Sequence, residues 1–164
     1  MIYKPQSEFP LLARYQEVFE TNPYTIFAYD KVIYCDYELP EHLQVHERRH
    51  LIRQQKIGVE NWVDNYLSDT QFRLNEEVIA YREQLESVKN RSARHRLRIQ
   101  CANDLASPLY GNIVTLKEAI KLLRENGYVV KKWTKAMEED ANKCEESGFD
   151  GDCMGCACNV CLMQ

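Results

Sequence analysis

The stretch Val45-His46-Glu47-Arg48-Arg49-His50 constrains this chain more than any other. It reads His-Glu-x-x-His. On a helix, His46 and His50 stand four residues apart, so both imidazoles leave one face and can share a metal ion. Glu47 lies about 100° around the same helix, within reach of a water held by that ion. Two histidines do not complete a catalytic zinc site, which takes three protein ligands and keeps a fourth position open. The fold must therefore bring a third ligand to this helix from elsewhere, and zinc-dependent hydrolysis is the chemistry the stretch points to.

The flanks supply the helix. Leu39-Pro40-Glu41 opens it, since proline suits a first helical turn and Glu41 suits the positive end of the dipole. It should run to about Lys56 and stop at Gly58, with Leu43, Val45, His46, His50 and Leu51 turned inward. His42 extends the stripe by one turn. Three ligands spaced evenly along one helix would span about 12 Å, too far for one ion, so His42 is expected as a partly exposed neighbour.

The third ligand is sought on a helix expected over 71–88, whose apolar positions are Phe72, Leu74, Val78, Tyr81 and Leu85. It carries adjacent Glu76 and Glu77. Adjacent helical positions point about 100° apart, so one carboxylate is expected to face the metal and the other solvent. Glu77 is the choice, because Ala80 and Tyr81 follow it on the adjoining face and a small residue lets helices approach closely. Glu76 is the alternative.

The remaining elements follow from periodicity and punctuation. An amphipathic helix is expected over 8–20, ended by Asn22-Pro23. Residues 24–36 read as a hairpin with strands near 24–29 and 32–36 around Asp30-Lys31. Helices are expected over 60–68, with Trp62, Val63 and Tyr66 inward, and over 93–105, capped by Ser92. Thr115-x-x-Glu118 is a capping box before Leu116, Ala119, Ile120, Leu122 and Leu123, in a helix closed by Asn126-Gly127. A short extended piece at 128–130 and a last helix with Trp133, Ala136 and Met137 complete the domain.

The 164 residues suffice for one domain with a real core, and 45% apolar and 28% charged residues are ordinary for a globular protein. A net charge of −4 gives no reason to expect a nucleic-acid partner. His95 lies among Arg91, Arg94, Arg96 and Arg98, a run that reads as a solvated helix face. No membrane span and no secretory signal is expected, which places the protein in a reducing cytoplasm. Seven cysteines are many for that compartment, and five of them fall at 144–161. Cys153, Cys156, Cys158 and Cys161 form Cys-x₂-Cys-x-Cys-x₂-Cys, a full tetrahedral complement for zinc or, as the less favoured choice, ligands for an iron–sulfur cluster. Cys144 is a spare fifth. Such a tail offers a docking point for a protein partner. Cys35 and Cys101 sit in apolar contexts and are expected to be buried.

His46-Glu47-x-x-His50, followed by Gln54, Trp62, Tyr66, Arg73 and then Glu77-x-x-Ala80-Tyr81 with Gln84, resembles zincin metallopeptidases of the gluzincin kind. It is similar in particular to small peptidases found in bacteriophages and prophages. The resemblance covers about residues 24–86. It implies zinc on His46, His50 and Glu77, with Glu47 as general base and a peptide or protein substrate. It also implies that an edge strand beside the site holds an extended backbone. Tyr66, Tyr81, His95 and Tyr110 are candidate oxyanion donors. The pattern departs at Tyr81, where those enzymes place a carboxylate behind a zinc-bound histidine. A phage origin would imply a bacterial host cytoplasm or a virion.

The expected fold is therefore α+β: a mostly helical, zincin-like domain over 1–137 with a small hairpin or sheet beside the site helix. An acidic linker over 138–152 and the cysteine-rich tail over 153–164 follow. The expected function is a zinc-dependent metallopeptidase. The alternatives are a non-catalytic, zinc-stabilised interaction or virion-associated protein, and a regulatory protein whose tail carries the function.

Overall fold

A computed structural model describes residues 1–124. The 128–130 piece, the last helix, the linker and the four tail cysteines fall outside the described residues.

Among the described residues the architecture is mostly helical with one small sheet, as an α+β chain should be. Strand β1 (Ile2–Lys4) precedes a single 3₁₀ turn at Gln6–Glu8 and a short helix α1 (Leu12–Gln16). The helix expected over 8–20 is thus reduced to five residues. Its apolar positions survive as an aromatic cluster: Phe9 stacks on Phe27 with centroids 4.2 Å apart, and Tyr15 packs edge-on against both.

The hairpin forms with shorter strands than expected, β2 (Phe27–Tyr29) and β3 (Val32–Tyr34). Asp30 and Lys31 take φ of 40° and 71°, the left-handed pair that a two-residue hairpin turn demands. The sheet order is β1-β3-β2, with β1 parallel and β2 antiparallel to β3. No local pattern announces β1, a three-residue exposed strand that exists by pairing with residues thirty positions later.

Helix α2 (Glu41–Ile57) follows Pro40 and ends at Gly58, whose φ of 87° is open to glycine and strained for other residues. Helix α3 (Val59–Ser68) and helix α4 (Thr70–Ser87) come next, and the Asp69 carboxylate accepts from the Gln71 and Phe72 amides at the start of α4. Helix α5 (Arg91–Leu105) is capped by Asn90, not Ser92, with the Asn90 side chain accepting from the Ala93 amide. Both residues are good caps, and Asn90 wins because the helix starts two residues earlier. Helix α6 (Leu116–Leu122) carries the expected capping box between Thr115 and Glu118.

Three apolar clusters hold these elements. Aromatic residues of the N-terminal segment, α3 and Phe72 form the first. The far half of α4 with α5 and α6 forms the second. Ile33, Cys35, Leu39 and Leu51 join the sheet to α2 in the third. Gln54 of α2 makes a further link: its amide N–H donates to the Ala28 carbonyl at 2.7 Å and its oxygen accepts from the Asp30 amide at 3.1 Å. A buried glutamine thus lies along the outer side of β2, at the sheet edge.

Candidate metal centre

Helices α2 and α4 form the most extensive contact in the domain, and the triad lies between them. His46 and His50 project from α2 and Glu77 from α4, all three buried. The Nε2 atoms of the two histidines are 3.1 Å apart. His46 Nε2 lies 3.4 Å from Glu77 Oε2, and His50 Nε2 lies 3.2 Å from Glu77 Oε1. Donor atoms bound at about 2.0–2.1 Å to one tetrahedral ion stand about 3.4 Å apart. The observed separations lie near that edge length, each histidine facing its own Glu77 oxygen, and with one donor atom per residue the three lie within 4.8 Å of one another. Glu77 Oε2, moreover, is buried and has no hydrogen-bond partner, as expected of an atom whose lone pair is reserved for a cation. The three residues could hold a metal ion, and two imidazoles with one carboxylate make a donor set suited to zinc.

The supports of these ligands come from three helices. Gln84, about two turns beyond Glu77 on α4, places its amide oxygen 3.1 Å from His46 Nδ1. In that arrangement Nδ1–H donates to Gln84, and the Nε2 lone pair is left for the ion. The Gln84 amide nitrogen lies 2.9 Å from His42 Nδ1 and donates to it. Tyr66 of α3 donates to Glu77 Oε1 at 2.7 Å. Rings complete the setting: Tyr81 packs on His46 with centroids 4.5 Å apart, and Trp62 packs on His50 at 5.4 Å. The departure at Tyr81 is thereby answered: an amide three residues further along α4 does the orienting, and Tyr81 supplies a wall.

Electrostatics follow burial. Burial works to raise the Glu77 carboxyl, but His50 and His46 together outweigh it and hold it well below the ordinary carboxylate value. Burial pushes Glu47 up to about 7, with His46 opposing and Glu77 reinforcing the rise. Burial, helped by the nearby Glu77 charge, also lifts the Tyr66, Tyr81 and Tyr110 hydroxyls, which therefore stay protonated as donors.

Glu76 does not face solvent as the 100° argument required. It is 3% exposed and accepts from Arg53 Nε and NH2 and from Trp62 Nε1, with distances of 2.9–3.2 Å. The expectation failed because α4 is enclosed on both flanks, by α2 on one and α3 on the other. Glu76 thus stands in a structural ion pair and Glu77 in the triad.

A pocket of about 400 Å³ opens over the triad and is lined by His46, Glu47, His50 and Glu77. Residues 25–28 at the sheet edge form one wall, and Tyr66, Tyr81 and Tyr110 form part of another. Tyr81 and Tyr110 share a hydrogen bond at 3.0 Å between their hydroxyls. His95 is exposed on α5 and lies apart from this pocket, so the structure does not bring it to the site. His42 sits at the rim, half-buried. Gln84 was visible in sequence only as part of a pattern; its role depends on a partner 38 residues away.

Removing either support should loosen the ion without removing a ligand. Tyr66→Phe and Gln84→Leu are each expected to weaken zinc binding by about 10–100-fold, measured by competition with a chromophoric chelator. Unchanged affinity in both would mean that neither bond orients a ligand.

No protein-family model matches the chain, and no curated protein or solved structure matches it either.

Proposed function

We propose that this chain is a zinc-dependent peptidase with a gluzincin-like site. The observation that carries the reading is the convergence of His46, His50 and Glu77, with Glu47, on one pocket that residues 25–28 border. When bound, zinc supplies Lewis acidity and a water nucleophile at neutral pH. The protein's own groups do the rest. The pocket wall at residues 25–28, away from the groups that Gln54 holds, offers backbone to an extended polypeptide. Glu47 accepts a proton from the attacking water and returns it to the leaving amine nitrogen. Tyr81 and Tyr110 together carry two hydroxyl protons, and their mutual bond uses one. The other is free to stabilise the oxygen on which negative charge develops. Tyr66 is a poorer donor for that purpose, since its proton is already committed to Glu77.

The near-complete burial of the three donors, at 4, 5 and 1% exposure, favours a second reading. In it the ion fastens α2 to α4 and no turnover follows. Elemental analysis and a proteolysis assay separate the two. Purified protein is expected to carry about one zinc at the triad, lost in a His46→Ala, His50→Ala double variant, and to cleave an unfolded polypeptide. Retention of that zinc in the double variant would sink both readings. Zinc at the triad without cleavage of any peptide in a broad library would leave the second standing.

A further inference from the structure

The pocket continues past the triad to a wall made by α5. Leu97, Gln100, Cys101 and Asp104 recur at spacings of three and four, so they share one helical face, and all four line the pocket. Asp104 is the charged member of that face. Its backbone carbonyl takes bonds from Ser107, but its carboxylate makes no hydrogen bond or ion pair with any described residue. Arg98, one and a half turns earlier on α5, does not line the pocket.

The charge balance of the lining is one-sided. Among the described residues its ionisable side chains include Glu47, Glu77 and Asp104 with three histidines, and no described lysine or arginine lines it. Two positive charges of a zinc ion are matched by Glu47 and Glu77. The Asp104 charge is left over. It sits in a partly desolvated place, where burial raises its carboxyl pKa and the nearby His46 opposes that rise. A carboxylate in such a setting, without a cation of its own, gains most from one brought by a ligand.

We infer that Asp104 is a specificity residue that receives a cationic group of the substrate, an ammonium or a guanidinium, on the α5 side of the pocket. The inference rests on the peptidase reading for its substrate, but not for its binding step. A peptide offers that cation from two sources, a Lys or Arg side chain or a free N-terminus.

The test uses peptides identical except at one position, filled by Lys, Arg, norleucine or Glu, each made with a free and an acetylated N-terminus. Cleavage is followed with the zinc-loaded full chain. Binding is followed separately by calorimetry on the zinc-free full chain. Wild type is expected to prefer cationic peptides by about 10–100-fold in both measurements. Asp104→Asn should erase the preference while leaving the acetylated norleucine peptide, which carries no cation, unaffected; Asp104→Glu should keep the preference, and Asp104→Lys should turn it toward the Glu peptide. A preference that survives acetylation assigns the side chain as the source; one that vanishes on acetylation assigns the N-terminus. Equal binding of Lys and norleucine peptides by wild type together with no loss on acetylation, or a preference retained in Asp104→Asn, overturns the inference. If no peptide is cleaved but the Asp104-dependent preference persists in calorimetry, the peptidase reading fails and the cation subsite stands.

Discussion

Glu47→Gln is expected to keep zinc at wild-type stoichiometry and to lower kcat by about 10²–10⁴-fold, the usual contribution of a positioned general base. The substitution is nearly isosteric. Glu47 is 7% exposed on α2 and makes no ligand contact to the triad, so the amide should fit where the carboxylate sat. What it removes is the capacity to take a proton. Zinc content by atomic emission and single-turnover cleavage kinetics check the two halves. Cleavage at the wild-type rate would show that another group is the base. Loss of zinc together with cleavage would show that Glu47 supports the ligands and would leave its chemical role unproven.

The second large effect is one of stability. Glu76→Ala should destabilise the fold by about 3–5 kcal/mol, because it removes the carboxylate that a buried guanidinium and a buried indole N–H both donate to. Arg53 is 7% exposed and gives Glu76 its Nε and NH2 donors, and Trp62 gives it the indole N–H. These three residues come from α2, α4 and α3, so one carboxylate ties together the helices that frame the triad. Denaturant unfolding measures the loss. An Arg53→Met, Glu76→Leu pair should recover much of it, since apolar residues of similar volume remove both buried charges at once. The folded fraction of Glu76→Ala should still bind zinc. Zinc loss from folded protein would instead make Glu76 the ligand.

The difference between Glu76 and Glu77 shows where sequence reasoning stops. Periodicity placed both on one helix and told them apart by 100°. It could not say that α4 is covered on two sides, and so assigned solvent to a residue that is 3% exposed. Local signals did better. Pro40 and Gly58 bounded the site helix to within a residue, and Asp30-Lys31 marked the turn. That Glu77, not Glu76, meets the two histidines was legible because Ala80 and Tyr81 on the adjoining face marked where α4 could approach α2 closely; Ala80 is fully buried. Features made by distant partners were not legible. Strand β1 depends on β3, and the orienting bond to His46 depends on Gln84, neither of which a local pattern announces.

Gln54 has a consequence for how this protein avoids its own kind. A strand at the edge of a sheet invites pairing with the same strand in another molecule. Here the inviting groups near the turn are already engaged, since the Ala28 carbonyl and the Asp30 amide are both held by the Gln54 side chain. One glutamine from α2 thus imitates a passing backbone at the turn end of β2. Residues 25–28 still border the pocket. The sheet is thereby blunted against self-association at its turn end.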